Sequence, residues 1–165
     1  MRIAGTVQDS IVDGAGLRFV VFTQGCPHGC DGCHNPETHD FAGGIEREVA
    51  SVVAEMLANP LTDGVTLSGG EPFAQARDCA EIAAAAKSNG LNVWVYSGWT
   101  FEELLEQSRG DTDTRRLLGL ADVLVDGRFE LPLRSLDLKF RGSRNQRILD
   151  VPASLAANVA VIREK

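Results

Sequence analysis

Short apolar runs alternate with stretches of helical spacing along this chain, and that alternation predicts most of its elements. Arg2–Val7 and Leu17–Gln24 are β-rich, and the second, Leu-Arg-Phe-Val-Val-Phe-Thr-Gln, is apolar enough for a strand covered on both faces. Asp9–Gly16 between them is polar and glycine-rich. Ile45–Leu57 predicts a helix, with Val49, Val52, Val53, Met56 and Leu57 at helical spacing and Asn59-Pro60 as its stop. Gly64–Ser68 predicts a strand, Ala74–Lys87 an alanine-rich helix capped at Asn89-Gly90, and Asn92–Tyr96 the next strand. Thr100-Phe-Glu-Glu opens a helix with a capping-box pattern, Asp111–Leu118 adds a further helical turn or two, and Ala121–Val125 is another apolar strand. Asn35–Gly44 reads as a loop, and Glu130–Gln146 as a polar, arginine-rich loop on the surface. Arg147–Val151 and Val159–Ile162 read as short terminal strands, with Pro152–Asn158 between them.

Strands alternating with helices at this rhythm predict parallel βαβ units. Four to five units fit into 165 residues, whereas a closed eight-unit barrel typically takes about 250. The expected fold is α/β: an open, partial TIM-like β/α barrel with a mostly parallel sheet, in one domain spanning 1–165. The net charge of −7 argues against a nucleic-acid partner held by bulk electrostatics. No apolar run of about 18 residues and no charged-then-apolar leader is seen, so the expectation is a soluble, cytoplasmic chain with no membrane partner.

Three of the four cysteines, Cys26, Cys30 and Cys33, form a C-x3-C-x2-C motif carried on Gly25, Pro27, Gly29 and Gly32. Three clustered thiols and one remote one make a poor disulfide framework and a good set of metal ligands. The motif directly follows a strand, where sites collect in parallel α/β sheets. Three thiolates leave a tetrahedral metal, or one corner of an iron-sulfur cube, without a protein ligand, and chemistry needs such an open position. A 4Fe-4S cluster fits this pattern; the alternative is a structural zinc completed by His28, His34 or His39. A second strand end carries Ser68-Gly69-Gly70-Glu71-Pro72. Its glycines let a ligand lie against the backbone, and its carbonyl groups and the Glu71 carboxylate can accept hydrogen bonds from an ammonium group.

Together the cysteine loop and Ser-Gly-Gly-Glu-Pro resemble the radical S-adenosylmethionine superfamily. Asp13-Gly-Ala-Gly-Leu-Arg18, Gln24-Gly-Cys-Pro-His-Gly-Cys and Cys33-His-Asn-Pro-Glu-Thr are similar to the small activating enzymes of glycyl-radical proteins. Tyr96-Ser-Gly-Trp-Thr-Phe-Glu-Glu-Leu, Ala121-Asp-Val-Leu-Val-Asp-Gly-Arg-Phe and Arg141-Gly-Ser-Arg-Asn-Gln-Arg narrow the resemblance to the activases of anaerobic ribonucleoside-triphosphate reductase.

That resemblance implies an open barrel of the radical SAM type. It also implies a 4Fe-4S cluster on Cys26, Cys30 and Cys33, whose fourth iron binds S-adenosyl-L-methionine. One electron from an external donor such as flavodoxin or ferredoxin would cleave that cofactor to a 5'-deoxyadenosyl radical, which takes hydrogen from a glycine of the reductase's large glycyl-radical subunit. Gly32, Cys33 and His34 would lie along the cofactor, with His34 near the adenine. Gly69, Gly70 and Glu71 would hold the methionyl ammonium, and Asp126 and Arg128 would lie near the cofactor, Arg128 facing its carboxylate. The other reading of Asp126 and Arg128 is a solvated strand end. Alternative functions are activation of another glycyl-radical protein, a small-molecule radical reaction such as that of the carboxydeazaguanine synthases, and a non-catalytic zinc-binding module.

Two features depart from the family pattern. Ala15 stands where proline is usual, and Tyr96 and Ser97 stand where larger activases carry an Asp-Thr pair, so Tyr96 receives no site role. Cys79, in an alanine-rich helix, reads as a small buried filler. Trp94 reads as core, Trp99 as facing the site or a partner, and Arg141, Arg144 and Arg147 as a solvated face able to meet an acidic partner.

Overall fold

In a computed structural model describing residues 1–164, β1 (Arg2–Ser10) turns back through the glycine-rich link to pair antiparallel with β2 (Arg18–Thr23). Chain order then runs β3 (Ile45–Glu46), α1 (Val49–Met56), β4 (Gly64–Gly69), α2 (Ala76–Ser88), β5 (Asn92–Ser97), α3 (Phe101–Gln107), α4 (Thr112–Leu120), β6 (Val123–Asp126), β7 (Arg147–Asp150) and α5 (Val151–Ala157). One sheet holds every strand, in the order β3-β1-β2-β4-β5-β6-β7. The four central strands β2, β4, β5 and β6 run parallel, while β1, β3 and β7 add antiparallel edges. β3 and β7 lie at opposite ends, so the sheet is open.

Strand alternation gives the sheet two unlike faces. Phe19, Val21, Val65, Leu67, Val93, Val95 and Leu124 point to one side, where residues of all five helices complete the main core. On the other side Trp94, Val123 and Val125 pack with Tyr96, Phe140 and Ile148, and no helix covers them. Loops close that second face, and this asymmetry is what leaves room for a site.

Three expectations change. Ile45–Glu46 pairs with Arg2–Ile3 as a short strand, so the helix begins only at Val49. Pro152–Ala157 is helical rather than a link: Asp150 caps α5 by accepting from Ala153 N at 2.9 Å, and Pro152 occupies its first turn. Val159–Ile162 contributes a single bridge, Leu149 to Ile162, in place of a strand. The signals Asp-Val-Pro and Gly43-Gly44 were available for the first two, but the repeating apolar pattern hid them.

Arg18 shows how the helix-free face is sealed. Its side chain is fully buried on β2, with Nε donating to Thr66 Oγ1 at 2.6 Å, Nη1 to Ala15 O at 2.7 Å and Nη2 to Val65 O at 2.7 Å. The guanidinium also lies 5.5 Å from the centre of the Trp94 ring. Desolvation pushes its pKa down to about 10, which leaves it charged at neutral pH. Arg18 therefore pins the 11–16 link to the sheet. Arg18→Met strands two buried acceptors, Thr66 Oγ1 and Val65 O, and is expected to lower stability by about 2 kcal/mol; an unchanged urea midpoint would refute this.

Candidate active site

β2 and β4 are parallel neighbours, with Thr23 opposite Gly69, so the cysteine loop and the Gly-Gly loop leave the sheet side by side at its C-terminal edge. Backbone hydrogen bonds stitch the two loops together: Gly70 N to Thr23 O at 2.8 Å and Glu71 N to Gly25 O at 2.9 Å. Gly69 has φ of +94°, and a Cβ there would lie 2.5 Å from Thr23 N. Only glycine accepts that conformation without strain.

A cavity of about 490 Å³ opens over the helix-free face, within the size range of small-molecule sites. Cys26, Cys30, Cys33, His34, Gly69 and Gly70 all line it. The three cysteines are half-buried and free of disulfides. Burial, foremost, and the neighbouring thiols raise the pKa values of Cys26 and Cys30, although Phe129 N–H offsets part of the rise at Cys30. Metal binding must therefore displace those protons.

Among the described residues, no three His, Cys, Asp or Glu side chains converge tightly enough to hold a single metal ion. A mononuclear site with bonds of about 2.3 Å would draw its sulfurs within about 4 Å of one another. A cluster binds each thiolate to a different iron and suits a wider spacing. The donor set of three thiols on one wall of a roomy cavity fits a 4Fe-4S group. His28 Nε2 is taken by Glu71 at 2.6 Å, which leaves only Nδ1 of that ring for a metal.

Two of the other expected residues sit differently from their sequence reading. The Glu71 side chain is fully buried and does not face the cavity; its carboxylate accepts from Phe73 N, Ser97 Oγ, Gly98 N and His28. Asp126 is equally buried, bonded to Arg147 through Nε at 3.0 Å and Nη2 at 2.5 Å, and to Phe101 N at 2.7 Å. Those bonds, together with Glu102, raise the Arg147 pKa, and they engage both oxygens of the Asp126 carboxylate. Arg128 lies over the Trp99 ring, 5.2 Å from its centre, and 3.7 Å from Glu103. Asp126 and Arg128 line a second recess of about 680 Å³, which shares His28, Cys30, Gly127 and Phe129 with the first cavity.

Several cavity residues escaped the sequence reading. Tyr96 lines the wall, and its hydroxyl donates to Phe140 O at 2.7 Å. Phe129 stacks obliquely on His34, with ring centres 5.3 Å apart. The stretch read as a surface loop, 130–146, folds over the helix-free face and brings Phe140, Arg141 and Gln146 to the cavity. Strand period could have found Tyr96, two residues beyond Trp94 on the same face; nothing local signalled the fold-back of the loop.

Residues 12–149 match the model of the 4Fe-4S single cluster domain. The anaerobic ribonucleoside-triphosphate reductase-activating protein of Pasteurella multocida is 34% identical over 147 residues, covering 84% of this chain and 90% of the relative. The chain belongs to this family of iron-sulfur activating proteins. The Escherichia coli K12 activating protein is 31% identical over 146 residues, covering 82% of this chain and 90% of that relative. Among solved structures, Escherichia coli QueE overlaps with a TM-score of 0.46 and 19% identity, covering 60% of this chain and 52% of that one. That overlap is loose, and membership of the activating-protein family rests on the sequence matches. In this chain the cysteine motif and the Gly-Gly loop stand at adjacent strand ends. No described helix is long and apolar enough to cross a membrane.

Proposed function

We propose that this chain acts as a single catalytic domain, an iron-sulfur enzyme that generates a glycyl radical on the large subunit of anaerobic ribonucleoside-triphosphate reductase. The observation that carries the reading is the meeting of three thiols with the Gly69–Gly70 backbone on one cavity of an open sheet. Cys26, Cys30 and Cys33 hold the 4Fe-4S cluster. The cluster and S-adenosylmethionine, when bound and reduced, supply a hydrogen-abstracting 5'-deoxyadenosyl radical; that chemistry belongs to the cofactors.

The protein's share is to bind, orient and exclude water. Carbonyl groups of the Gly69–Gly70 loop take the methionyl ammonium, while the oblique pair of His34 and Phe129 offers a flat apolar surface for the adenine. Gly32 keeps the backbone close to Phe129 and Leu131, since a Cβ there would lie 2.9 Å from the Leu131 side chain. Asp126 acts at one remove, holding the end of β6 to α3 and β7, and Arg128 guards the second recess.

An external carrier such as flavodoxin or ferredoxin delivers the electron. The partner enters as a polypeptide over the helix-free face. Residues 134–144 on its rim carry Arg134, Lys139, Arg141 and Arg144 against the single carboxylate Asp137. None of the four forms an ion pair among the described residues. Such a rim suits an acidic segment on the reductase.

Anaerobic reconstitution, reduction and addition of S-adenosylmethionine should yield 5'-deoxyadenosine, and adding the reductase subunit should yield a glycyl-radical EPR signal that weakens with salt. A colourless zinc protein that leaves the cofactor intact would sink the enzyme reading. Cofactor cleavage with no radical on the reductase would sink the partner assignment alone.

A further inference from the structure

The Glu71 carboxylate is a meeting point of three strand ends. Buried with no exposed surface, it would be costly unless fully hydrogen-bonded. Oε1 accepts from Gly98 N at 2.9 Å and Ser97 Oγ at 2.9 Å at the end of β5; Oε2 accepts from Phe73 N at 3.0 Å after β4. The remaining donor comes from the cysteine loop: His28 Nε2 lies 2.6 Å from Oε1, and an ionised carboxylate only accepts, so the ring nitrogen donates.

His28 stands between Cys26 and Cys30, with its side chain 3% exposed. Its ring meets the Trp99 ring edge-on at 4.7 Å. Its other side presses on Gly98, where a Cβ would lie 2.3 Å from the imidazole. The backbone bonds at Thr23 and Gly25 tie only the base of the cysteine loop to the Gly-Gly loop. His28 is the side chain that ties its tip.

We propose that His28 is a positioning residue that, through Glu71, sets the placement of the cluster-holding thiolates relative to the Gly69–Gly70 carbonyls. This rests on the cofactor reading above and assigns His28 no bond to metal. A charge-assisted hydrogen bond in a buried setting is strong and directional. Losing it lets the cysteine loop keep its thiols while drifting from the loop that receives the ammonium. Coordination at one iron and capture of the ammonium would then no longer be satisfied at once.

The test compares His28→Ala and His28→Gln with wild type after anaerobic reconstitution. Three readouts are taken: iron content, S-adenosylmethionine affinity by equilibrium dialysis, and the change that S-adenosylmethionine induces in the EPR spectrum of the reduced cluster. His28→Ala should keep wild-type iron, lose affinity by about tenfold or more and show a diminished spectral change. His28→Gln, whose amide can still donate to Glu71, should recover most of the affinity. Unchanged affinity in His28→Ala overturns the proposal. Lost iron in both variants overturns it too, because His28 would then serve cluster retention itself. If His28→Ala does not fold, the Gln variant decides: wild-type iron and near-wild-type affinity support the proposal, and weak affinity with the cluster intact refutes it. A wild-type protein that binds no S-adenosylmethionine would instead refute the underlying cofactor reading.

Discussion

Cys30→Ala is expected to lose the iron-sulfur cluster and all cleavage of S-adenosylmethionine, while Cys79→Ala keeps both. Cys30 lines both cavities at the centre of the motif, and the two remaining thiols cannot hold a cluster that takes one iron corner from each of three. Cys79 is fully buried in α2 among Ala76, Ala80 and Ala83, and burial raises its thiol pKa far from the thiolate range. It behaves as a small apolar side chain, so its loss costs about 1 kcal/mol of packing and no chemistry. Iron content, the visible absorbance of the reconstituted protein and 5'-deoxyadenosine yield measure the contrast. Equal loss in the two variants, or cofactor cleavage by Cys30→Ala, would overturn the ligand assignment.

Gly70→Ala should reduce cofactor cleavage by about 100-fold, through a shift of about 1 Å between two loops. A Cβ at Gly70 would lie 2.4 Å from Gly25 O, 2.9 Å from Gly25 C and 3.0 Å from Thr38 O. All three are backbone atoms with no rotamer to yield. The clash falls beside the bond from Glu71 N to Gly25 O, which joins the Gly-Gly loop to the cysteine loop. Overpacking of this kind also costs about 1–3 kcal/mol of stability. Gly119→Ala is the matched control: it lies in α4 with nothing within 4 Å of an added Cβ, and should be neutral or stabilising by up to about 1 kcal/mol. Wild-type turnover in Gly70→Ala would show that the two loops are not held in register by their contact.

Elements whose ends carry capping chemistry were readable locally. Thr100 and Glu103 form the capping box that their spacing announces, and Gly90 takes φ of +75° after α2 as its position predicts. Ile45 misleads because an apolar residue one turn before Val49 satisfies a helical period, yet pairing with Ile3 is worth more at a sheet edge. The Glu71 carboxylate reads toward a ligand because it follows a strand at the right end of the sheet, and Asp126 because the family resemblance places it near the cofactor. Burial turned both into internal anchors, since partners distant in sequence, Arg147 and His28, reach them first.

What the residue pattern alone determined is the chemistry and its address: three thiols on one short loop, two glycines on another, each behind a strand that its apolar run makes parallel and buried. These are local properties, written within about ten residues. Which donors complete the cavity was decided only by tertiary structure. The fold-back of 130–146, the place of Tyr96 on the wall and the capture of Glu71 by His28 depend on contacts 43 or more residues apart for the last two. No local period encodes them, because they arise where loops from different strand ends compete for the same buried partners.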